Sequence, residues 1–383
     1  MKKVLAMLLA MAMLLVCFAA SAEVNPDEVP DTVTSADGTY EVAFVTDVGQ
    51  LKDGSFNEGT WNGVKGYAAA NGLTYKYYQL ANGDKATDDD RYDAMKAAVD
   101  GGAKVVVCAG FMQGTALTKA AIEFTGVNFV FIDGWALTDE AGNVLNNVAG
   151  IAFKEEQAGY LAGFAVVKEG FTKLGFSGGG GGTNPACDRY GYGFVQGANA
   201  AAAEMGAQVE VKYTWQYGGS FSPSAELQTM MSGWYSTGTE VVFSCGGNIF
   251  DSISAAASAN DAFVVGVDVD QSRAVDSATG TVITRDYVIT SAMKGIREAT
   301  EIAIGKSYDG TWAEIGGQNT SYGINDDAVG LPVGTWSLEN YSVEEYEALV
   351  AAMKAGEVAV DDTNYEADSI TTVEFSNVTV LYE

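Results

Sequence analysis

Apolar positions along the chain follow two alternating patterns: short unbroken runs, and longer series at helical spacing. The run at 42–45 is short, partly β-branched and followed by turn residues, which predicts a buried strand. Trp61 and Val64 then recur at helical spacing. Between them, an S-x-x-E pattern predicts a helix start that Ser55 caps and to which Glu58 reaches back.

The order of strand and helix repeats through the first third of the chain. Strands are predicted at 41–46, 74–79, 104–108 and 128–132, with helices at 58–71, 88–101 and 114–125. Strands that alternate with helices are typical of a parallel sheet covered on both faces. The pattern therefore predicts an α/β lobe.

A second round of similar order follows. A strand at 148–153 leads into a helix at 155–168, and further strands are predicted at 173–177, 208–215, 240–244 and 262–267, with helices at 190–205, 222–234 and 249–260. Ser222 and Pro223 are expected to be the N-cap and first residue of the helix at 222–234. These elements predict a second lobe of the same kind.

The rest of the chain is too short for a third lobe. It contains an apolar segment at 282–289, a helix at 290–304, a turn-rich region at 305–325, a strand near 328–331, a helix at 343–355 and a strand at 372–382. We expect this part to return to the first lobe and complete its sheet.

These elements predict a division of the chain into two lobes with a cleft that can close by hinge motion. The division is a signal peptide at 1–22, a flexible lead-in at 23–39, a first lobe formed by 40–153 and 292–383, and a second lobe at 154–291.

The first 22 residues have the features of an export signal. Two lysines precede an apolar run at 4–18, and a small-residue cleavage site follows at 20–22. We expect cleavage after Ala22 in preference to a lipid anchor at Cys17, because Val16 stands where a lipoprotein signal has a small residue. The sequence thus predicts an extracytoplasmic protein: secreted, periplasmic or associated with the cell surface.

Charge and side-chain chemistry narrow the choice of ligand. The chain carries 50 acidic and 21 basic residues, a formal net charge of −29, which disfavours nucleic acid, anionic membranes and free phosphates as partners. It contains no histidine, which excludes His-based catalytic triads and His-ligated metals. Cys108, Cys187 and Cys245 lack metal-site spacing, so we expect small buried side chains there and no cofactor.

Candidate ligand contacts follow the predicted strands of the first lobe. Asp47, Phe56 and Asn57 lie where the first strand meets a helix start, and Asp133 follows the strand at 128–132. In open α/β folds, ligands bind in this crevice. An aromatic ring, an amide and carboxylates suit a flat ligand with N–H donors. Each residue has a plain structural alternative, such as a capped turn or a core ring.

The second lobe offers a matching ring. Phe221, in GGSFSP, mirrors Phe56, and two rings across a cleft can sandwich a flat base. A run of five glycines at 178–182 also follows a strand, but it lacks the placement of a phosphate-binding turn, so a flexible loop is expected there.

Three further strand ends supply polar or permissive positions. Gly246 and Gly247 allow close backbone approach to a ligand. Asp268 suits the vicinal hydroxyls of a sugar, and Lys294 can reach the same sugar or pair with Asp268. A calcium loop around Asp268 and Asp270 is the alternative, but the spaced oxygen ligands and the closing glutamate are missing.

Together these segments resemble the basic membrane protein family, nucleoside-binding proteins of ATP-binding-cassette importers with the type I periplasmic-binding fold. The resemblance runs from about 40 to 361 and is carried by VAFVTDVGQLKDGSFNEGTWNG, FVFIDG, KLGFSGG with YGYGFVQG, GGSFSP, FSCGG, VVGVDVDQ and ITSAMKG. It implies two Rossmann-like lobes with parallel sheets, three crossings and a ligand cleft between them.

The resemblance also implies roles for the candidate residues. Phe56 and Phe221 would sandwich the base, Asn57 and Asp133 would bind its edge, Asp268, Lys294 and the backbone of Gly246 and Gly247 would hold the ribose, and Asp47 would line the cleft. The chain departs from the family at Ser222 and Pro223, where the family often has Asn-Asp, and in its looser five-glycine run. Family members are also typically lipid-anchored.

The sequence therefore predicts a monomeric receptor, not an enzyme, that captures a nucleoside, a purine one in particular, and delivers it to the membrane permease of an importer. A sugar or signal-molecule receptor on the same scaffold would keep the carboxylates without needing paired rings. A carboxylate-dependent hydrolase or a dehydrogenase is a second alternative, but Asp47, Asp268 and Asp270 are scattered over both predicted lobes.

Overall fold

Two sheets organise the computed structural model, which describes residues 24–275 and 281–383. The predicted export signal and Cys17 lie outside the described residues. The first sheet contains β1 (Val42–Val45), β2 (Tyr75–Tyr78), β3 (Val105–Ala109), β4 (Asn128–Ile132), β5 (Val148–Phe153) and β13 (Asn319–Tyr322). Its strands are all parallel, in the order β13-β5-β4-β3-β1-β2.

The second sheet is also built around parallel strands. It contains β6 (Lys173–Gly178), β7 (Val209–Thr214), β8 (Val241–Cys245), β9 (Phe263–Asp268), β12 (Val288–Lys294), β14 (Val329–Gly330) and β15 (Val378–Tyr382). The order is β14-β12-β9-β8-β6-β7-β15, and only β14 runs antiparallel to its neighbour among these strands. Apart from this sheet, β10 (Arg273–Val275) pairs antiparallel with β11 (Val282–Thr284).

Helices cover both sheets. The first lobe carries α1 (Phe56–Ala70), α2 (Asp88–Asp100), α3 (Gly114–Glu123) and α8 (Ile296–Tyr308), and the second carries α4 (Glu155–Glu169), α5 (Pro185–Met205), α6 (Ala225–Ser236), α7 (Ile249–Ala259) and α9 (Val343–Lys354). The predicted α/β architecture of two Rossmann-like lobes is confirmed. Among the described helices, none combines the length and apolar character needed to cross a membrane.

Burial on both faces explains the unbroken apolar strands of the first lobe. All four residues of β1 are fully buried. On one face Phe44 stacks on Trp61 of α1, with ring centroids 5.7 Å apart, and on the other face Val45 packs in a cluster with Met95 of α2. A strand with helices on both sides has no polar face to alternate with.

The described chain passes between the lobes at three places. It leaves the first sheet after β5 and enters the second lobe at α4, and it returns between β12 and α8 through Gly295. The third passage follows β13 and leads to β14 across 323–328. The candidate residue Lys294 lies directly before the second crossing, so lobe movement would act on it directly.

The C-terminal part differs from expectation. We expected it to complete the first sheet, but only β13 does so, in a region predicted to be turns. The strands β14 and β15 join opposite edges of the second sheet. The predicted assignment of 292–383 to the first lobe is therefore wrong for these strands, because edge pairing is a long-range choice that local pattern does not encode.

Several helix starts also differ from prediction. α5 begins at Pro185, five residues early, because Asn184 caps it by accepting from the N–H of Ala186 and Cys187 at 2.9 and 3.3 Å. α6 begins later than predicted, and Ser224 rather than Ser222 is its cap. The segment predicted as a helix from 290 is the strand β12 as far as Lys294.

The segment before β1 is packed against the first lobe, not a free lead-in. Val33 forms an antiparallel bridge with Tyr75 at the edge of the sheet. Lys65 is 3% exposed, and its Nζ donates to the carbonyl of Pro26 at 2.8 Å and lies 3.2 Å from Asp31 Oδ1. The sequence missed this because Pro and acidic residues alone suggest an unpacked segment.

Candidate ligand-binding site

One cavity lies between the carboxyl ends of the two sheets. Its cavity volume is about 50 Å³, well below the roughly 300–1,000 Å³ of sites that enclose a small molecule, so the cleft is narrow in this structure. The nine residues predicted from sequence all line it: Asp47, Phe56, Asn57, Asp133, Phe221, Gly246, Gly247, Asp268 and Lys294. That any of them touches a ligand stays a prediction, but the fold does bring all of them together.

The position of each residue follows from parallel strand topology. Asp47 and Asp133 come after β1 and β4, while Phe221 and Gly246 come after β7 and β8. Lys294 ends β12. Carboxyl ends of parallel strands meet at one edge of a sheet, and the two sheets present these edges to each other, so separate short motifs converge on one cleft.

Three of the candidates have strained backbones. Asp133, Phe221 and Asp268 have φ values of 53°, 56° and 67°, in the left-handed region that favours glycine. Such conformations cost of order 1–3 kcal/mol each and persist where the surroundings over-determine them, as at ligand sites. Asp133 and Asp268 lie at strand ends and Phe221 lies in the turn after β7, and all three line the cavity.

Asp53, which sequence analysis did not single out, organises the start of α1. Its Oδ1 accepts from the backbone N–H of Ser55 and Glu58 at 2.9 and 3.1 Å, and its Oδ2 accepts from the backbone and side-chain N–H of Asn57, both at 3.0 Å. The predicted cap by Ser55 is wrong, since its side chain makes no cap hydrogen bond. Glu58 does reach back, accepting from the N–H of Gly54 at 2.8 Å.

The hydroxyl of Ser55 forms a hydrogen bond across the cleft. Its Oγ donates to Asp268 Oδ2 of the second lobe at 2.7 Å. Nearby, Gln271 Nε2 donates to the carbonyl of Gly54 at 3.2 Å. These two bonds tie the loop before α1 directly to the end of β9, so they favour approach of the two lobes.

Asn57 also holds the site together from within the first lobe. Its Oδ1 accepts from the backbone N–H of Asp47 at 2.9 Å, while its Nδ2 donates to Asp53. The amide therefore fixes the loop that carries Asp47. The predicted contact of Asn57 with the edge of a base stays a prediction.

Lys294 lies at the centre of a buried charge cluster. Its Nζ is 2.6 Å from Asp133, 3.4 Å from Glu155 and 3.6 Å from Asp268, and its side chain is 2% exposed. Burial lowers the pKa of Lys294, but the three carboxylates outweigh burial and hold it above its usual value. Pairing with Asp268, one of the two predicted alternatives, is present at 3.6 Å, but the nearest partner is Asp133 of the other lobe.

Glu155 extends this cluster into the second lobe. Its Oε2 accepts from Arg189 Nη2 at 2.6 Å and Nε at 2.8 Å, while its other oxygen faces Lys294. Sequence analysis took Glu155 as an ordinary first-turn residue of a helix. The available signal was the charged pair Lys154 and Glu155 after an apolar strand, at a predicted change of lobe.

Two of the carboxylates that line the cavity have a buried oxygen without a partner. In the described chain, Asp47 Oδ1 and Asp133 Oδ1 are buried without a hydrogen-bond partner, as is the hydroxyl of Tyr190. Burial raises the pKa of Asp47 to about 7, against the opposing effect of the Val48 N–H. Burial likewise raises the pKa of Asp133, and Lys294 opposes that shift. Buried unpaired acceptors are costly, so a ligand with N–H or O–H donors would be stabilised here.

The two predicted rings line the cavity from opposite lobes. Phe56 is half-buried on the core of the first lobe, with Lys294 Nζ 5.0 Å from its ring centroid. Phe221 is half-buried on the core of the second lobe. Neither ring is fully enclosed in the core of its own lobe, so each lobe presents an aromatic side chain to the cavity.

The arrangement is suited to binding. Within residues 24–275 and 281–383, no group of three or more acidic or cysteine side chains is arranged to hold a metal ion. The three described cysteines are buried free thiols, as predicted. Paired rings, unpaired acceptors and a buried cation instead offer stacking and hydrogen bonding to an uncharged polar molecule.

Comparison with solved structures defines the class first. The chain shares its fold with the crystal structure of an ABC transporter solute-binding protein from Aeropyrum pernix K1, with a TM-score of 0.62 and 21% identity over 84% of this chain and 87% of that one. The two-lobed α/β architecture with a cleft is therefore that of a type I periplasmic-binding protein, as predicted.

Sequence comparison then gives the family. The family model described as ABC transporter substrate-binding protein, PnrA-like, matches residues 40–364, and the chain belongs to this family. It is 28% identical to the ABC transporter nucleoside-binding protein BmpA of Lactococcus lactis, over 82% of this chain and 85% of that protein. It is 27% identical to Basic membrane protein D of Borreliella burgdorferi, over 81% and 84%. The predicted family is confirmed.

Proposed function

We propose that this substrate-binding protein works outside the cytoplasm, where it captures a nucleoside, with purine nucleosides preferred. It then delivers the nucleoside to the permease of an ABC importer. The observation that supports the proposal is that Phe56 of the first lobe and Phe221 of the second lobe both line one cavity. A relative that covers most of the chain is named for nucleoside binding, which supports the same ligand class.

The polar groups suit the two parts of a nucleoside. The unpaired oxygens of Asp47 and Asp133 would accept from N–H groups of the base. Asp268 and Lys294 would bind the ribose hydroxyls, with the backbone at Gly246 and Gly247 close by. The recognition needs no covalent step, so we expect the ligand to be released unchanged.

Isothermal titration with inosine, guanosine, adenosine, cytidine and free ribose tests the proposal. We expect binding of the purine nucleosides, weaker binding of cytidine, and little of ribose. No binding of any nucleoside at high micromolar concentration would overturn the nucleoside assignment. Binding of ribose as tight as inosine would favour a sugar receptor, and free base released from inosine would indicate an enzyme.

Substitution of the rings separates stacking from packing. Phe56→Ala and Phe221→Ala should each weaken inosine binding by about 1–3 kcal/mol, the value of one base–aromatic stack. Phe263→Ala is a matched control, because Phe263 packs on Phe171, 5.5 Å away between centroids, and does not line the cavity. Unchanged affinity in both ring variants would remove the stacking model.

A further inference from the structure

We propose that residues 365–383, which lie beyond the part matched by the family model, are a positioning element of the ligand site. They hold the glycine loop 178–182, on which the Phe221 ring rests. The inference rests on the proposed function only where affinity is the readout, since the support of Phe221 can be measured without ligand.

The C-terminal segment is firmly attached to the second lobe. β15 pairs with β7 over five residues, and Ile370 is fully buried in the core of this lobe. At the chain end, Trp234 Nε1 donates to Glu383 Oε2 at 2.6 Å and Thr214 Oγ1 donates to the Glu383 carbonyl at 2.7 Å. The segment is therefore an integral edge of the sheet and can transmit a constraint.

Ahead of β15 the segment touches the glycine loop through Ala367. The Ala367 N–H donates to the carbonyl of Gly182, and the Ala367 carbonyl accepts from Trp215 Nε1, both at 2.9 Å. The approach is close, because a Cβ placed on Gly182 would lie 2.7 Å from Ala367 Cα. Ala367 itself has φ 52°, a strained backbone that these contacts must maintain.

The glycine loop in turn supports Phe221. A Cβ on Gly179 would lie 2.3 Å from the ring, and a Cβ on Gly246 would lie 3.2 Å from it, so the ring lies directly on backbone. Trp215 packs equally closely on Gly178, because a Cβ placed on Gly178 would lie 2.0 Å from the Trp215 ring. Contacts thus run without a break from Ala367 through Trp215 and the loop to the ring.

Phe221 needs such support because its own backbone is left-handed, at φ 56°. Its N–H donates to the carbonyl of Gly218 at 3.0 Å, a bond within the same short turn. A five-glycine loop has high conformational freedom when nothing holds it. Loosening the contact at Ala367 should therefore release the loop and, with it, the ring.

Two glycines of the loop give a matched test. Gly182→Ala and Gly181→Ala both place alanine in the left-handed region, at φ 76° and 66°, but only the first meets Ala367, since nothing lies within 4 Å of a Cβ on Gly181. We expect Gly182→Ala to weaken inosine binding about tenfold more than Gly181→Ala, because the two share the backbone strain but only Gly182→Ala also meets Ala367. Equal losses would overturn the inference.

Two tryptophans give a second matched pair. Trp215→Phe and Trp234→Phe each remove one indole N–H bond between the second lobe and the C-terminal segment, at Ala367 and at Glu383 respectively. Both should lower the melting temperature, but only Trp215→Phe should weaken inosine binding, by about fivefold. A loss of affinity that follows the melting temperature in both variants would show a merely structural role.

Hydrogen exchange followed by mass spectrometry gives a readout without ligand. We expect faster exchange at 216–222 in Gly182→Ala and Trp215→Phe than in their control variants. This result would support the inference even if the wild-type protein bound no nucleoside, which would defeat the proposed function alone. Equal exchange at 216–222 in each matched pair would overturn the inference while leaving nucleoside binding untouched.

Discussion

The two lobes present equivalent rings to the cleft but hold them in different ways. In the first lobe, Phe56 opens α1, and the loop before it is fixed by Asp53 and Asn57, which lie within four residues of each other. In the second lobe, Phe221 lies on a glycine loop in contact with Ala367, about 150 residues further along the chain. Phe56 is thus positioned by hydrogen bonds between residues close in sequence, whereas Phe221 is positioned by packing against a segment far along the chain.

The two rings therefore differ in how far along the chain their support lies. The network around Asp53 joins residues that are close in sequence, although the S-x-x-E pattern there predicted Ser55 as the cap instead. A site supported from a distant segment depends on sheet edges and loop contacts, which vary more freely among proteins of one fold. The cluster around Lys294 joins the two halves, because its carboxylate partners come from both lobes.

The largest effect is expected at this shared cation. Lys294→Met would leave Asp133 and Asp268 buried without their ammonium partner, which should lower the free energy of unfolding by about 3–5 kcal/mol and abolish ligand binding. Denaturant unfolding measures the first effect. Lys306→Met, at an exposed pair with Glu314, is the control and should change little. Stability of Lys294→Met equal to wild type would contradict the role of the cluster.

Asp53→Ala tests the local support of the first lobe. It removes four hydrogen bonds at the start of α1 and should cost about 2 kcal/mol of stability, with weaker ligand binding because Asn57 and the Asp47 loop lose their anchor. Thr87→Ala removes the cap of α2, away from the cavity, and should cost about 1 kcal/mol without affecting affinity. If both variants bound ligand equally well, Asp53 would only be a helix cap.

Asp188 tests how the second lobe tolerates a poorly paired buried carboxylate. Asn364 donates to its Oδ2 at 3.4 Å, its Oδ1 has no partner in the described chain, and burial raises its pKa to about 7. Between about pH 4 and 7 the folded state keeps a proton that the unfolded state has released, so stability falls as pH rises. Asparagine cannot ionise, so in Asp188→Asn the free energy of unfolding should decrease less between pH 4 and 7. We expect the decrease to be smaller by about 1–2 kcal/mol, allowing for solvent screening.

The control for this pH series is Asp309, whose pKa is shifted in the opposite direction. Hydrogen bonds from Thr311 lower the pKa of Asp309, so its contribution is present above the unfolded pKa and is lost only in more acidic solution. Asp309→Asn should therefore leave the slope between pH 4 and 7 as in wild type. Urea unfolding at several pH values measures both variants, and an unchanged slope in Asp188→Asn would refute the buried-proton model.

The smallest effect is expected at the bond between the lobes. Ser55→Ala removes the 2.7 Å bond to Asp268, worth about 1 kcal/mol, and should speed ligand release about fivefold by weakening the closed arrangement. Ser236→Ala, whose hydroxyl bonds within its own helix to Gly233, is the control. Stopped-flow dissociation measures the rate, and equal rates would show that the two halves close independently of Ser55.

Much of the fold and the candidate site could be predicted because both depend on short-range patterns. Alternating apolar runs and helical spacing located β1 and α1, and the ends of parallel strands brought Asp47, Asp133 and Asp268 into one cleft. The prediction failed at Ser55, which fits a capping pattern but donates across the cleft. A nearby carboxylate had already taken the capping role, and sequence pattern does not rank such competitors.

By itself, the sequence determined the two α/β lobes and the strand ends that supply the candidate residues, since periodicity and turn chemistry act over a few residues. Only the tertiary structure decided that β15 forms an edge of the second sheet and that Lys294 lies on a strand among three carboxylates. The contact of Ala367 with the loop under Phe221 was likewise decided only there. Edge pairing, ion pairing and loop contact join residues far apart in the chain, so their energies depend on the folded arrangement.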